Sequence, residues 1–172
     1  MTHAELAKKI DAICHLKGDF LLRSGTRSSE YFDKYRFESQ PKLLKEIADQ
    51  LKVFIPAGTE ALAALEMGGI PIGTALSLAT GIPCAFIRKE AKAYGTCQFA
   101  EGFDVKGKNL CLIEDVITSG GQVLLSTEDL RASGAIVENV LCVINRGGPE
   151  AAAKLKEKNL VLRSLFVRGD FL

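Results

Sequence analysis

From residue 61 onward, short continuous apolar runs alternate with stretches of helical periodicity, and this alternation restricts the chain to few folds. Residues 61–65, 83–87, 109–114, 136–144 and 160–166 have the length and composition of strands buried on both faces. Residues 70–80, 121–133 and 150–158 predict helices between them, the first entered through Gly68 and Gly69. Residues 89–107 are polar and read as irregular. Strands that are continuous apolar runs, alternating with helices, predict an α/β fold in which a parallel sheet is flanked by helices on both faces.

The first 60 residues are patterned differently. Thr2 and Glu5 make a capping box ahead of Leu6, Ile10 and Ile13, which predicts a helix over 3–16 ended by Gly18. Residues 20–25 and 29–33 read as two short strands around a polar turn. Pro41 suits a first helical position, and Leu43, Leu44, Ile47, Ala48, Leu51 and Phe54 form one apolar stripe, so a second helix is expected over 41–54. With no linker, repeat or low-complexity stretch, residues 1–172 are expected to form one domain, with 1–36 as N-terminal helix and hood and 37–172 as α/β core.

Bulk properties exclude several classes. The 22 Lys and Arg against 21 Asp and Glu give a net charge of +1, which offers no overall field for nucleic acid. No apolar run is long enough to span a bilayer, and Met1 to Glu5 do not begin a signal peptide. The five cysteines are odd in number and lack a C-x-x-C pair, which argues against a disulfide framework or a zinc site and for the reducing cytoplasm.

In an open parallel sheet, ligands gather beyond the carboxyl ends of the strands. That rule selects residues 66–69, 88–102, 115–121 and 145–149, which are also the Gly-rich or charged segments. The richest is the run after strand 109–114: Glu114 and Asp115, then Val116, Ile117, Thr118, Ser119, Gly120 and Gly121 opening a helix. Backbone N–H groups at such a turn make an anion site, and the hydroxyls of Thr118 and Ser119 add donors. Adjacent carboxylates repel a phosphate and suit vicinal hydroxyls or a hydrated Mg²⁺ instead. A phosphate cradle beside hydroxyl acceptors describes a 5-phosphoribosyl group; a capped turn with solvated acids is the alternative. Neither G-x-x-x-x-G-K-[ST] nor G-x-G-x-x-G occurs, so NTPase and dinucleotide signatures are missing.

Three further segments carry charge or aromatic groups. Arg88, Lys89 and Lys92 lie close together with Gly95 and Gly102 as hinges, which reads as a basic lid over an anionic leaving group or as a solvated loop. Tyr31 and Phe32 offer stacking faces for a flat ring, with Arg23 as a cation nearby, although core packing explains the aromatics too. Arg146, at a strand end, suits forked recognition of a carboxylate or simply faces solvent.

Residues 112–121 resemble the phosphoribosyl-diphosphate motif of type I phosphoribosyltransferases: an apolar strand, two acids, two apolar residues, then Thr-Ser-Gly-Gly. The run Arg88-Lys89-Glu90-Ala91-Lys92-Ala93-Tyr94-Gly95 resembles the catalytic loop of the orotate phosphoribosyltransferases, and residues 20–33 resemble that family's hood. The resemblance extends from about residue 16 to residue 146. It implies that Glu114 and Asp115 hold the ribose hydroxyls, that residues 116–121 wrap the 5′-phosphate, and that Arg88, Lys89 and Lys92 act on the diphosphate with Tyr94 beside them. By the same resemblance Arg23, Tyr31, Phe32, Thr118 and Arg146 meet orotate, with Arg146 on its carboxylate. The chain has Tyr94 where many members have His, Asn145 where Asp is usual, and Gly68 where some members place Lys.

The implied reaction is transfer of 5-phosphoribose from 5-phosphoribosyl 1-diphosphate to orotate, giving orotidine 5′-monophosphate and diphosphate in pyrimidine biosynthesis. Mg²⁺ is implied as cofactor, held mainly by the donor and water with no direct protein ligand. A homodimer with shared sites is also implied, because the family's loop reaches into the neighbouring subunit. A chain ending at Leu172 is expected to leave decarboxylation of the product to another protein. Two other readings stay open: a phosphoribosyltransferase for another nucleobase, and a non-enzymatic, nucleotide-sensing regulator on the same fold.

Overall fold

Thr2 and Glu5 do close a capping box, Thr2 N–H donating to Glu5 Oε2 at 2.8 Å and Glu5 N–H to Thr2 Oγ1 at 3.3 Å. They start helix α1 (His3–Cys14) in the computed structural model, which describes residues 1–22, 24–91 and 98–171. One face of α1 buries Leu6, Ala7, Ile10 and Cys14. The helix ends two residues earlier than its periodicity predicts. The chain extends at His15 because β1 (His15–Leu21) pairs antiparallel with β2 (Arg27–Phe32), from His15 opposite Phe32 to Leu21 opposite Arg27. Gly18 therefore sits inside a strand, where cross-strand pairing overrides its helix-ending tendency.

A short helix, α2 (Tyr35–Glu38), follows the hairpin and has no counterpart in the sequence reading. Pro41 takes the first turn of α3 (Pro41–Leu51), and a 3₁₀ turn over Lys52–Phe54 finishes the apolar stripe. Next come β3 (Ala61–Leu65), α4 (Gly69–Thr80), β4 (Cys84–Ile87) and a two-residue β5 (Ala100–Glu101). The chain continues through β6 (Asn109–Ile117), α5 (Gly121–Ala132), β7 (Ile136–Asn145), α6 (Gly148–Lys156) and β8 (Val161–Val167).

The six strands lie in the order β5-β4-β3-β6-β7-β8. All neighbours are parallel except β4 and β5, which pair antiparallel at the sheet's edge within the segment read as irregular. Because β3 is apolar throughout and β6 and β7 are apolar through their middles, the pleat sends alternate residues to two separate cores. Cys111 and Ile113 face α1, α3 and α4, whereas Leu110 and Leu112 face the side of α5 and α6. α1 shares the first core with Ile47 and Phe166, so it is packed into the body and only the β1–β2 hairpin stands apart.

Chain order sets the location of the site. From β3 the chain winds one way to β4, and from β6 it winds the other way to β7 and β8. β3 and β6 are neighbours, with Ala61–Ala64 in register with Leu110–Ile113. The loops leaving their carboxyl ends therefore part in opposite directions, which opens a crevice at that point.

Candidate active site

β6 runs on past its expected end to Ile117 and carries Glu114 and Asp115 into this crevice, with Glu114 opposite Cys142 and Val116 opposite Ile144 of β7. Asp115 is 0% exposed and Glu114 is 9% exposed. The loop from β3 passes so close that a Cβ on Gly68 would lie 1.7 Å from Asp115 Oδ2, and one on Gly69 would lie 2.3 Å from the Ile113 carbonyl oxygen. The glycine pair is thus required by space: the Asp115 carboxylate occupies the room a side chain at 68 would need.

Two residues absent from the sequence reading complete this cluster. Lys34 places its Nζ 2.6 Å from Asp115 Oδ2, and Glu38 on α2 is buried beside the same carboxylate. Asp115 Oδ2 has no well-angled hydrogen bond, so charge holds the Lys34 contact. Burial, and then hydrogen bonding to Asp115, pushes the Glu38 carboxyl up to about 9. Burial likewise lifts Glu114 to about 9. Burial works against the Asp115 carboxylate too, but hydrogen bonds from Glu114 and Glu38 and the Lys34 ammonium outweigh it, and Asp115 is held below its usual range. Near neutral pH the cluster therefore carries one carboxylate, one ammonium and two neutral acids.

This arrangement makes stability depend on pH with a definite sign. Glu38 is raised from 4.5 in the unfolded chain to about 9 when folded. Its contribution is fully present below about pH 4.5 and is lost as pH rises toward about 9, because the unfolded chain ionises first. Glu38→Gln removes that titration. The variant's melting temperature should rise relative to the parent as pH increases across this window, as thermal unfolding at a series of pH values would show. A constant difference would mean that Glu38 titrates like an ordinary surface acid.

Beyond Ile117 the chain turns through exposed Thr118 and Ser119 into Gly120, whose φ of +72° is left-handed and suits glycine, and α5 begins at Gly121. Ser119 Oγ accepts from Gly121 N–H at 3.4 Å. The loop is fastened from the side: Arg146 and Gly147 N–H both donate to the Ile117 carbonyl, at 2.8 and 3.2 Å. Exposed hydroxyls beside the start of a 12-residue helix are the ingredients of an anion site.

On the other side of the crevice a cavity of about 520 Å³ is lined by Tyr31 and Phe32 of the hairpin, by Ile144 and Arg146 at the end of β7, and by Arg168 and Phe171 after β8. The Arg146 guanidinium lies over the Phe32 ring, 5.5 Å from its centroid. Phe32 meets Phe171 edge-on at 5.8 Å, which ties the hairpin to the end of the chain. Tyr31 packs on Phe20 at 5.5 Å and stays 43% exposed. Asn145 Nδ2 donates to the Gly148 carbonyl at 3.1 Å, so this amide shapes the turn behind Arg146.

The basic segment starts at the end of β4, alongside β3. Arg88 Nε bonds Glu101 Oε1 at 3.2 Å, and the Lys89 N–H donates to Glu66 Oε1 at 2.6 Å. Arg88 lines a second cavity of about 390 Å³ with Glu66 and Ile70, on the opposite side of the β3 loop from the aromatic cavity. Arg23, Lys92 and Tyr94 lie outside the described residues. Among the described residues, then, the crevice brings together Glu114, Asp115, the 116–121 turn and the 66–69 loop. Tyr31, Phe32 and Arg146 stand on one flank, and Arg88 and Lys89 on the other.

No family model matches the chain. Over 167 residues it is 48% identical to an orotate phosphoribosyltransferase from a Nocardioides species, covering 97% of this chain and 93% of that protein. It is 39% identical over 157 residues to an orotate phosphoribosyltransferase from Methanocella arvoryzae, with 90% and 88% of the two chains covered. Among solved structures, the orotate phosphoribosyltransferase of Mycobacterium tuberculosis in complex with Fe(III) dicitrate matches with a TM-score of 0.85 at 27% identity, covering 98% of this chain and 97% of that one.

Proposed function

The chain belongs to the orotate phosphoribosyltransferase family, and from that footing we propose that it transfers 5-phosphoribose from 5-phosphoribosyl 1-diphosphate to orotate, forming orotidine 5′-monophosphate and diphosphate in pyrimidine biosynthesis. The observation that carries this reading is the crevice between β3 and β6. There a buried pair of acids meets a glycine-rich anion turn, and an arginine stacked on an aromatic ring stands beside them. We read residues 1–172 as one phosphoribosyltransferase domain.

In this assignment residues 116–121 receive the 5′-phosphate through backbone N–H groups and the hydroxyls of Thr118 and Ser119. Glu114 and Asp115 take the ribose hydroxyls. Orotate lies against Tyr31 and Phe32, with Thr118 near its ring, its carboxylate on Arg146 and Arg23 close by. The new bond forms between the ring nitrogen and the anomeric carbon as the bond to diphosphate breaks, through a transition state with oxocarbenium character. Orotate arrives as an anion, so electrostatics at the leaving group outweigh base catalysis. Arg88, Lys89 and Lys92 stabilise the departing diphosphate, and Tyr94 is placed to hydrogen-bond beside them.

A hydrated Mg²⁺ fits this donor set: the Asp115 carboxylate and the adjacent Glu114 carboxyl oxygens would accept hydrogens from its water or from the ribose, and the ion would need no direct protein ligand. When bound it supplies positive charge to the leaving group. The loop's reach in the family supports a homodimer with shared sites. The free, buried thiols of Cys14 and Cys111, both pushed up to about 12 by burial, suit the reducing cytoplasm. The ligands are small molecules, and the balanced charge gives no reason to invoke nucleic acid. Among the described residues no helix is long and apolar enough to cross a membrane.

The deciding experiment is orotate-dependent release of diphosphate, run beside uracil, adenine and hypoxanthine. Turnover with a purine and none with orotate would replace the base assignment, and binding of DNA without any turnover would replace the enzyme. Within the assignment, Arg146→Ala should raise KM for orotate about 10- to 100-fold, the loss of a charged hydrogen bond of about 1.5–3 kcal/mol. KM for the donor should stay near the parent value. An unchanged KM for orotate would remove Arg146 from the base site.

A further inference from the structure

The Lys34–Asp115 contact presents a conflict that the proposed function does not resolve. Asp115 is assigned to a ribose hydroxyl, yet it is 0% exposed and an ammonium already lies 2.6 Å from its Oδ2. No hydroxyl can reach that oxygen while Lys34 holds it. We propose that Lys34 is an exchangeable cation of the donor site: in the empty enzyme it covers Asp115, and when the ribosyl group takes that carboxylate the same ammonium passes to the donor's diphosphate.

Three observations support the exchange. Lys34 lies on the turn between β2 and α2 and its side chain is 33% exposed, so the ammonium has a way out. It carries three rotatable donors on a flexible stem, which suits a group with two stations. The Asp115 carboxylate fills the space where a Cβ on Gly68 would begin, so the ammonium beside it already borders the β3 loop and the first turn of α4. The positive end of the α4 dipole at that turn is where an anion released from the anomeric carbon would be received. Charge balance points the same way. Glu38 and Glu114 are neutral near pH 7, so a ribose hydroxyl that displaced Lys34 would leave its charge unmatched unless an anion arrived with the sugar. The 1-diphosphate provides that anion beside Lys34, whereas ribose 5-phosphate carries its only anion at the far end, on the 116–121 turn.

The inference rests on residues 114–121 being the donor site, and calorimetry without orotate separates the two ideas. With Mg²⁺ present, Lys34→Met should bind 5-phosphoribosyl 1-diphosphate tenfold or more weakly, while ribose 5-phosphate binds as tightly as to the parent or more so. The first ligand needs the ammonium, and the second only has to evict it. Lys34→Arg should recover most of the donor affinity. Equal losses for both ligands, or no loss for either, would overturn the exchange and leave Lys34 a structural partner of Asp115. A parent protein that binds no donor at all would remove both readings. Because Lys34→Met leaves Asp115 without its cation and could compromise folding, the parent supplies a second measurement. Acetic anhydride labelling of Lys34, read by mass spectrometry, should increase with ribose 5-phosphate and fall with 5-phosphoribosyl 1-diphosphate. Labelling that ignores both ligands would equally overturn the proposal.

Discussion

Lys92→Ala is expected to lower turnover by about 10²–10³, the usual loss when one preorganised donor to a developing anion is removed, and to leave the fold unchanged. The described residues on either side root this segment in the sheet. It leaves the sheet at the end of β4 and returns as β5, which pairs with the same strand through Phe86 with Glu101 and Ile87 with Ala100. Both ends are thus anchored on the outermost pair of strands, and Arg88 is already tied to Glu101. Shared sites require this segment to reach a second copy. Mixing Lys92→Ala chains with Asp115→Asn chains tests that reach. If lids act across a dimer, hybrids regain activity, because one of their two sites then holds both intact residues. If lids act within their own chain, every site in the hybrid keeps one defect and activity stays low. Steady-state assay of the mixture against each parent variant distinguishes the two, and near-parental turnover by Lys92→Ala alone would remove the lid assignment.

How far the sequence could be read depended on whether a role was local or tertiary. The apolar runs place β3, β6 and β7 because strands buried on both faces write their burial directly into composition. The placement of the acid pair and of the turn at 118–121 at a strand end was legible for the same reason, since they lie within one contiguous stretch. Lys34 and Glu38 were not legible, because Lys34-Tyr35-Arg36 reads as solvated charge until the hairpin carries Lys34 over Asp115. Gly68 looked like the loss of a cation, whereas in the fold it leaves the room that Asp115 occupies. Arg168 was within reach of a rule already in use. It follows β8 directly, and the carboxyl ends of strands were where ligand groups were expected, but that strand end was not among the segments selected.

Gly147→Ala should sharply lower both stability and activity through a single methyl group. The φ of Gly147 is −81°, so its backbone conformation does not call for glycine, and only space does. An added Cβ would sit 1.8 Å from the Thr118 carbonyl oxygen and 2.6 Å from the Ala151 Cβ. The two obstacles are a backbone atom of the phosphate turn and a buried residue of α6, and neither can swing aside as a long side chain could. The Gly147 and Arg146 N–H bonds to Ile117 hold the loop in place, so the strain must move the turn that carries Thr118 and Ser119. Overpacking of this kind costs about 1–3 kcal/mol, or a melting temperature lower by about 2–4 °C for each kcal/mol in a domain of this size. A displacement of about 1 Å at a positioning loop costs turnover about 10²-fold. Gly121→Ala is the informative comparison, since its Cβ would meet only Ser119 Oγ at an ordinary 3.6 Å. In the empty protein that substitution should leave the melting temperature unchanged or slightly raised, alanine being the better helix former. Any loss should appear in donor affinity, where a methyl obstructs close approach of the phosphate to the backbone. Thermal unfolding together with calorimetry of donor binding separates the pair: Gly147→Ala should lose both stability and binding, and Gly121→Ala binding alone. Full stability and full activity in Gly147→Ala would show that the phosphate turn does not depend on the contact between the ends of β6 and β7.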